Sequence, residues 1–104
     1  MSHKLLDMKH FDEIKGILAD HMDILKMRFK VKEIGVFGSC VRGEQRKKSD
    51  IDVLVSFGGP VDFIEFIKLE NYLAELFGTK VDLVTKDALK PRIGKRILSE
   101  VVYI

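Results

Sequence analysis

The sequence predicts an α/β sandwich in which helices pack on a small mixed sheet of three or four strands. Three features support this fold class: amphipathic stretches with helical spacing, short β-branched stretches between them, and glycine or proline at the junctions. The chain has 104 residues, of which 46% are hydrophobic and 33% are charged. This size and composition indicate one globular domain over residues 1–104.

The first half of the chain is expected to form a helix followed by two strands. Apolar residues at steps of three and four predict an amphipathic helix over about residues 9–29. The stretch VKEIGVFG, which begins at Val31, is short, β-branched and ended by glycine, so it predicts a strand. The stretch IDVLVSF, Ile51–Phe57, is apolar at nearly every position, as in a strand that is covered on both faces.

The second half is expected to add a third strand between two helices. Asp62 and Glu65 have the spacing of a capping box that begins a helix, and Gly78 suits the end of that helix. The stretch KVDLVT predicts the third strand. A last helix is expected from near Asp87, with Pro91 in its first turn, and the final VYI is expected as a short edge strand.

The charge pattern argues against a nucleic-acid-binding protein. The net charge is +2 and the pI is about 8.7, which is only mildly basic. Basic residues do cluster at 46–48 and in the last predicted helix, at Lys90, Arg92, Lys95 and Arg96. Such clusters are either solvated surface or an attraction for a polyanion or an acidic partner.

The cysteine and histidine content argues against a disulfide or a zinc site. Cys40 is the single cysteine, so no intrachain disulfide can form, which favours a reducing compartment. His10 and His21 have no second histidine or cysteine at ligand spacing, so both are expected on the helix surface. Neither a signal-peptide segment nor an apolar run of roughly 20 residues is present, so the cytoplasm is the expected location.

Three aspartates stand in or beside the predicted strands. Asp50 and Asp52 flank Ile51, so their side chains are expected on one face of the strand. Asp82 lies in the third strand, which could present its carboxylate to the same place. Taken singly, each has an ordinary explanation as a turn residue or a half-exposed strand position. Three converging carboxylates repel one another, and Mg²⁺, which prefers oxygen ligands, is the usual compensation.

A small-residue pair precedes the aspartates. Gly38 and Ser39 follow the first strand directly, and such residues let a phosphate approach backbone N–H groups and a hydroxyl. Arg42 or the following basic run could balance the phosphate charge. The stretch lacks the glycine and lysine spacing of a Walker A loop.

Together, GSCVRGEQRKKSDIDVLV and the later VDLV resemble the DNA polymerase β-like nucleotidyltransferase superfamily. The small size and the GS-x-x-RGE form resemble its minimal nucleotidyltransferases, the antitoxin partners of HEPN toxins, over about residues 31–104. The pattern often has a small residue such as alanine at the position of Val41, which supplies neither an acid nor a phosphate donor.

The resemblance implies transfer of a nucleoside monophosphate from a nucleoside triphosphate to an acceptor hydroxyl. Asp50 and Asp52 would hold two magnesium ions, and Asp82 would bind the ion nearer the acceptor and orient or deprotonate the hydroxyl. Gly38 and Ser39 would hold the phosphates that leave as pyrophosphate. Arg42 would contact a phosphate or the partner.

In the antitoxin subgroup the resemblance implies ATP as donor and a tyrosine of the HEPN toxin as acceptor, whose modification blocks the toxin's ribonuclease activity. Three alternatives remain open. The chain could neutralise a toxin by binding alone, or it could be a nucleotidyltransferase subunit acting on a small molecule. A nucleic-acid-binding domain, suggested by the basic residues at 46–48, is disfavoured because the aromatic residues of the second helix have core spacing.

Overall fold

The computed structural model describes residues 11–38, Val41 and residues 51–104. A short 3₁₀ turn, Lys86–Ala88, follows the third strand. The helices and strands of the described residues are, in chain order, α1 Phe11–Asp20, α2 Met22–Phe29, β1 Val31–Phe37, β2 Ile51–Phe57, α3 Phe63–Phe77, β3 Val81–Thr85, α4 Pro91–Glu100 and β4 Val102–Tyr103.

The strands form one mixed sheet in the order β3-β2-β1-β4. β1 is antiparallel to β2 and to β4, whereas β2 and β3 are parallel. The predicted edge strand is confirmed, because Gly35 pairs with Tyr103 and Val36 with Val102. The predicted α/β fold with a small mixed sheet is therefore correct.

One face of the sheet carries the main core. Alternate residues of β2 from Ile51 to Val55 are almost completely buried against the helical layer, since their side chains all project to that face. The predicted burial of β2 on both faces also holds at Leu54, which projects the opposite way and is 1% exposed. The helices supply the rest of this core through Ile14, Leu18, Leu25, Leu69, Leu73 and Phe77.

The first predicted helix is two helices, because the chain departs from helical geometry at His21. The φ and ψ angles of His21 are −108° and 12°. Its Nδ1 lies 2.8 Å from the Ile17 carbonyl oxygen, and its ring meets the Tyr72 ring edge to face at 6.3 Å. The sequence predicts His21 on the helix surface, whereas its side chain is half-buried. His10 and Cys40 lie outside the described residues.

The last helix begins later than the sequence suggested. Pro91 is its first residue, and Asp87 belongs to the preceding 3₁₀ turn. A proline disfavours helical geometry in the residue before it, and Lys90 accordingly has extended angles of −79° and 150°. The predicted start near Asp87 is therefore wrong, although the position of Pro91 in the first turn is correct.

The outer edge of β3 is partly covered by a side chain of α3. The Glu70 Oε2 atom lies 3.5 Å from the Leu83 backbone nitrogen. Because β3 is an outer strand of the described sheet, this carboxylate covers a main-chain N–H group that has no neighbouring strand.

The capping box predicted at the start of α3 is confirmed. The Glu65 N–H donates to Asp62 Oδ1 at 2.8 Å, and the Asp62 N–H donates to Glu65 Oε1 at 3.4 Å. We expect Asp62→Ala to lower the free energy of unfolding by about 1 kcal/mol, because one N–H group of the first turn loses its acceptor. Urea unfolding measures this change. Asp87→Ala is the matched control, since Asp87 is exposed, and a similar loss there would contradict the prediction.

Candidate active site

Two of the predicted carboxylates lie side by side on neighbouring strands. Asp52 of β2 and Asp82 of β3 are register partners in the parallel pair, so they project to the same face of the sheet. Adjacent strands are roughly 4.8 Å apart, which brings the two carboxylates within reach of one ligand. Asp52 is half-buried and Asp82 is exposed. The third predicted acid, Asp50, lies outside the described residues.

Burial of the opposite face fixes the direction of the Asp52 side chain. Ile51 and Val53, its two neighbours along β2, are completely buried. A slip of one residue in the register of β2 would place both of them on the other face and would turn Asp52 into the core. The hydrophobic pattern of the strand thus positions the carboxylate.

Gly38 lies against the Asp52 carboxylate. It follows β1, is buried, and has a φ of +81°, in the left-handed region that favours glycine. A Cβ atom added there would be 3.0 Å from Asp52 Cγ and would collide with the carboxylate oxygen Oδ2. The Gly38 carbonyl accepts a bond from the Val41 N–H at 3.1 Å, so the chain turns at this point. Gly38 is therefore the described part of the predicted phosphate-binding stretch, while Ser39 and Arg42 lie outside the described residues.

A carboxylate that the sequence analysis missed reaches this turn. The Gly38 N–H donates to Glu100 Oε1 at 2.9 Å, joining residues 62 positions apart in the chain. Glu100 ends α4, where the negative end of the helix dipole disfavours an acidic side chain. The position of Glu100 at a helix C-terminus is the sequence signal that could have drawn attention to it. An acidic side chain is unfavourable there unless a specific contact stabilises it.

A second polar cluster lies on the same face of the sheet, farther along the strands. Lys86 Nζ is 3.4 Å from Glu33 Oε1 and 5.5 Å from the centre of the Tyr103 ring. The bond to the Tyr103 hydroxyl and the charge of Glu33 raise the pKa of the Lys86 ammonium. A raised pKa stabilises the fold while lysine is protonated, so this contribution is present at neutral pH and is lost in strongly alkaline solution. The lysine side chain is 38% exposed, so screening by solvent makes the effect small.

The donor set at the aspartate pair suits a hard divalent cation. Two carboxylates directly opposite on neighbouring strands repel each other. Carboxylate oxygens are the ligands that Mg²⁺ prefers, and it commonly uses only a few of them together with substrate phosphates. Among the described residues no group of three acidic, histidine or cysteine side chains could hold a metal ion. Asp52 and Asp82 would supply two ligands of such an oxygen site, for which the sequence predicts Asp50 as the third.

The described site therefore consists of a carboxylate pair on adjacent strands beside a left-handed glycine turn. The sequence profile of the nucleotidyltransferase domain family matches residues 18–104, and the chain belongs to this family. The prediction that it is a nucleotidyltransferase is thereby confirmed.

Within the family, the chain is similar to proteins named as protein adenylyltransferases. It is 50% identical over 97 residues to the protein adenylyltransferase MntA of Thermococcus cleftensis, covering 93% of this chain and 98% of that protein. It is 51% identical over 98 residues to MJ0128 of Methanocaldococcus jannaschii, which is assigned as a protein adenylyltransferase, over 93% of this chain and all of that one. The resemblance stated from the motif is therefore correct.

Solved structures share the fold. A protein assigned as a minimal nucleotidyltransferase superposes with a TM-score of 0.71 and 32% identity, covering 86% of this chain and 93% of that one. A toxin–antitoxin protein crystallised with AMP-PNP superposes with a TM-score of 0.65 and 26% identity, over 88% and 69% of the two chains. No helix in the described ranges is both long and apolar enough to cross a membrane.

Proposed function

We propose that this chain is the antitoxin of a HEPN toxin–antitoxin pair and transfers AMP from ATP to a tyrosine hydroxyl of its partner toxin. The observation that carries the proposal is the in-register pair of Asp52 and Asp82 beside the Gly38 turn. The 50% identity to a protein adenylyltransferase named MntA supports this acceptor class over a small molecule.

The residues fit a magnesium-dependent site. Asp52, Asp82 and the predicted Asp50 would hold Mg²⁺ through oxygen atoms alone, and neither histidine nor cysteine joins the described pair. When bound, two magnesium ions act as Lewis acids that stabilise the entering and leaving oxygens of an in-line displacement.

The protein's own residues bind and orient the two substrates. Gly38 lets the backbone turn close to Asp52, and the Ser39 hydroxyl and N–H groups of the turn would bind the β- and γ-phosphates while Arg42 would offset their charge. The exposed Asp82 is the carboxylate nearer to solvent, so it would orient the tyrosine hydroxyl and accept its proton. The tyrosine oxygen forms a bond to the α-phosphorus, the bond between that phosphorus and the bridging oxygen breaks, and pyrophosphate leaves.

A protein acceptor agrees with the exposure of the site. Asp82 lies at the outer strand of the described sheet, where a partner can approach it. Phe63 and Ile64 are 76% and 64% exposed at the start of α3, an apolar surface of the kind that partners cover. The same surface favours a second candidate function, neutralisation of the toxin by binding alone.

The direct test is a transfer assay with the cognate toxin, ATP and Mg²⁺, followed by intact-mass and peptide mass spectrometry. We expect the toxin to gain the mass of one or more AMP units, located on a tyrosine. A toxin in which that tyrosine is replaced by phenylalanine is the matched control, and it should gain no mass. A stable complex whose toxin remains unmodified would instead support neutralisation by binding.

A further inference from the structure

The C-terminal segment reaches the nucleotidyltransferase site through Glu100. Its carboxylate oxygen lies 2.9 Å from the Gly38 nitrogen, and Gly38 contacts Asp52. Hydrogen bonds between a charged acceptor and a backbone N–H are stronger than neutral ones. The contact thus joins the end of α4 to the Gly38 turn, where the predicted phosphate-binding stretch begins.

The position of Glu100 is fixed by the residues that follow it. Ile104 N–H donates to the Ile34 carbonyl at 3.0 Å, so the strand β4 is bound along β1. A Cβ atom at Gly35 would lie 2.7 Å from Val101 Cγ2 and 2.9 Å from the Val102 oxygen. This close approach, which only glycine permits, holds the segment next to Glu100 against β1.

The hydrogen bond to Glu100 restrains the left-handed turn at Gly38. The hydrogen bond joins the Gly38 N–H group to the Glu100 carboxylate, and the Cα atom of Gly38 lies against Asp52. The bond therefore also restrains the distance between the turn and the carboxylate pair. Groups that bind a substrate must be held close to their productive geometry, and side chains outside the substrate contacts commonly provide that restraint.

We propose that Glu100 is a positioning residue, which holds the Gly38 backbone so that the phosphate-binding turn keeps its distance from Asp52. The proposal rests on the proposed function, because the turn is useful only if a nucleotide binds there. Glu100 acts through Gly38 and carries no role in the chemical step. The property that this role requires is the acceptor oxygen, which glutamine retains.

The test compares Glu100→Ala with Glu100→Gln. Loss of the acceptor in Glu100→Ala should weaken binding of a non-hydrolysable ATP analogue with Mg²⁺ by about tenfold and raise the KM for ATP similarly, with a smaller change in kcat. Glu100→Gln keeps an oxygen acceptor and should restore both values to within about threefold of wild type. Ser99→Ala, one residue away and exposed, is the matched control and should leave them unchanged.

A measurement that needs no nucleotide tests the restraint itself. Amide hydrogen exchange at Gly38, followed by NMR, should accelerate in Glu100→Ala and stay close to wild type in Glu100→Gln. Unchanged exchange in both variants would overturn the proposal. A general loss of stability would accelerate exchange across β1 and β2 as well, which would also overturn it.

The outcomes separate this proposal from the proposed function. Equal affinity of wild type and Glu100→Ala for the nucleotide overturns the positioning role and leaves the transfer reaction standing. Tighter binding by Glu100→Ala also overturns it, because the carboxylate would then compete with phosphate for the turn. If the wild-type chain binds no nucleotide, the proposed function fails and the positioning role fails with it.

Discussion

Asp52→Asn is expected to abolish AMP transfer to the toxin while the chain stays folded. Asparagine has the shape of aspartate but lacks the charge that holds a divalent cation, and the transition-state stabilisation supplied by bound metal is several kcal/mol. We therefore expect the transfer rate to fall about a hundredfold or more. The thermal midpoint should stay the same or rise slightly, because the repulsion between Asp52 and its register partner Asp82 disappears.

The same variant separates the enzymatic account from neutralisation by binding. Transfer is measured by mass spectrometry, and association with the toxin by titration calorimetry. Asp87→Asn, an exposed aspartate in the 3₁₀ turn, is the control for a change of the same type outside the site. Full transfer by folded Asp52→Asn would rule out the assignment of this carboxylate. Full toxin neutralisation without transfer would favour the binding-only antitoxin.

Gly38→Ala is expected to have the second-largest effect, and it should reduce both transfer and stability. The residue has a φ of +81°, a conformation that costs a non-glycine residue about 1–2 kcal/mol. The new Cβ would also meet the Asp52 side chain, with Cγ 3.0 Å away, so the carboxylate or the turn must move. A displacement of this size at a reacting site can cost about a hundredfold in rate.

Gly16→Ala is the matched glycine control. Gly16 lies within α1, and a Cβ atom there would meet nothing within 4 Å. Alanine favours a helix over glycine, so this variant should gain about 0.5–1 kcal/mol of stability and keep full transfer activity. Both variants are compared by urea unfolding and by the transfer assay. Wild-type activity in Gly38→Ala would show that the turn and Asp52 need not stay in contact.

Local chemistry explains what could be predicted from the sequence. The strand Ile51–Phe57 and the capping box at Asp62 were predicted at their observed positions, because alternation and cap hydrogen bonds involve residues close together in the chain. The pairing of Asp52 with Asp82 could be suggested only as a possibility, since strand order is set by long-range packing. It became an observation once the parallel register of β2 and β3 was known.

Two features depended on contacts that no local pattern encodes. The break at His21 involves a half-buried side chain packed on Tyr72 of a distant helix, whereas the apolar spacing of residues 9–29 continues through it. The Glu100 contact with Gly38 requires β4 to pair with β1, which fixes the end of α4 next to the turn. Helical periodicity could place Glu100 near the end of a helix but could not identify its acceptor role.

The charged outer edge of β3 has a practical consequence for work on this protein. Glu70 covers one main-chain group of that edge, and the exposed Asp82 adds a negative charge along the same strand. Carboxylates on such an edge discourage strand-to-strand aggregation between molecules. Neutral replacements of Asp82 therefore remove a charge that opposes aggregation as well as a candidate metal ligand. The kinetics of such variants should be measured only on samples that light scattering shows to be monodisperse.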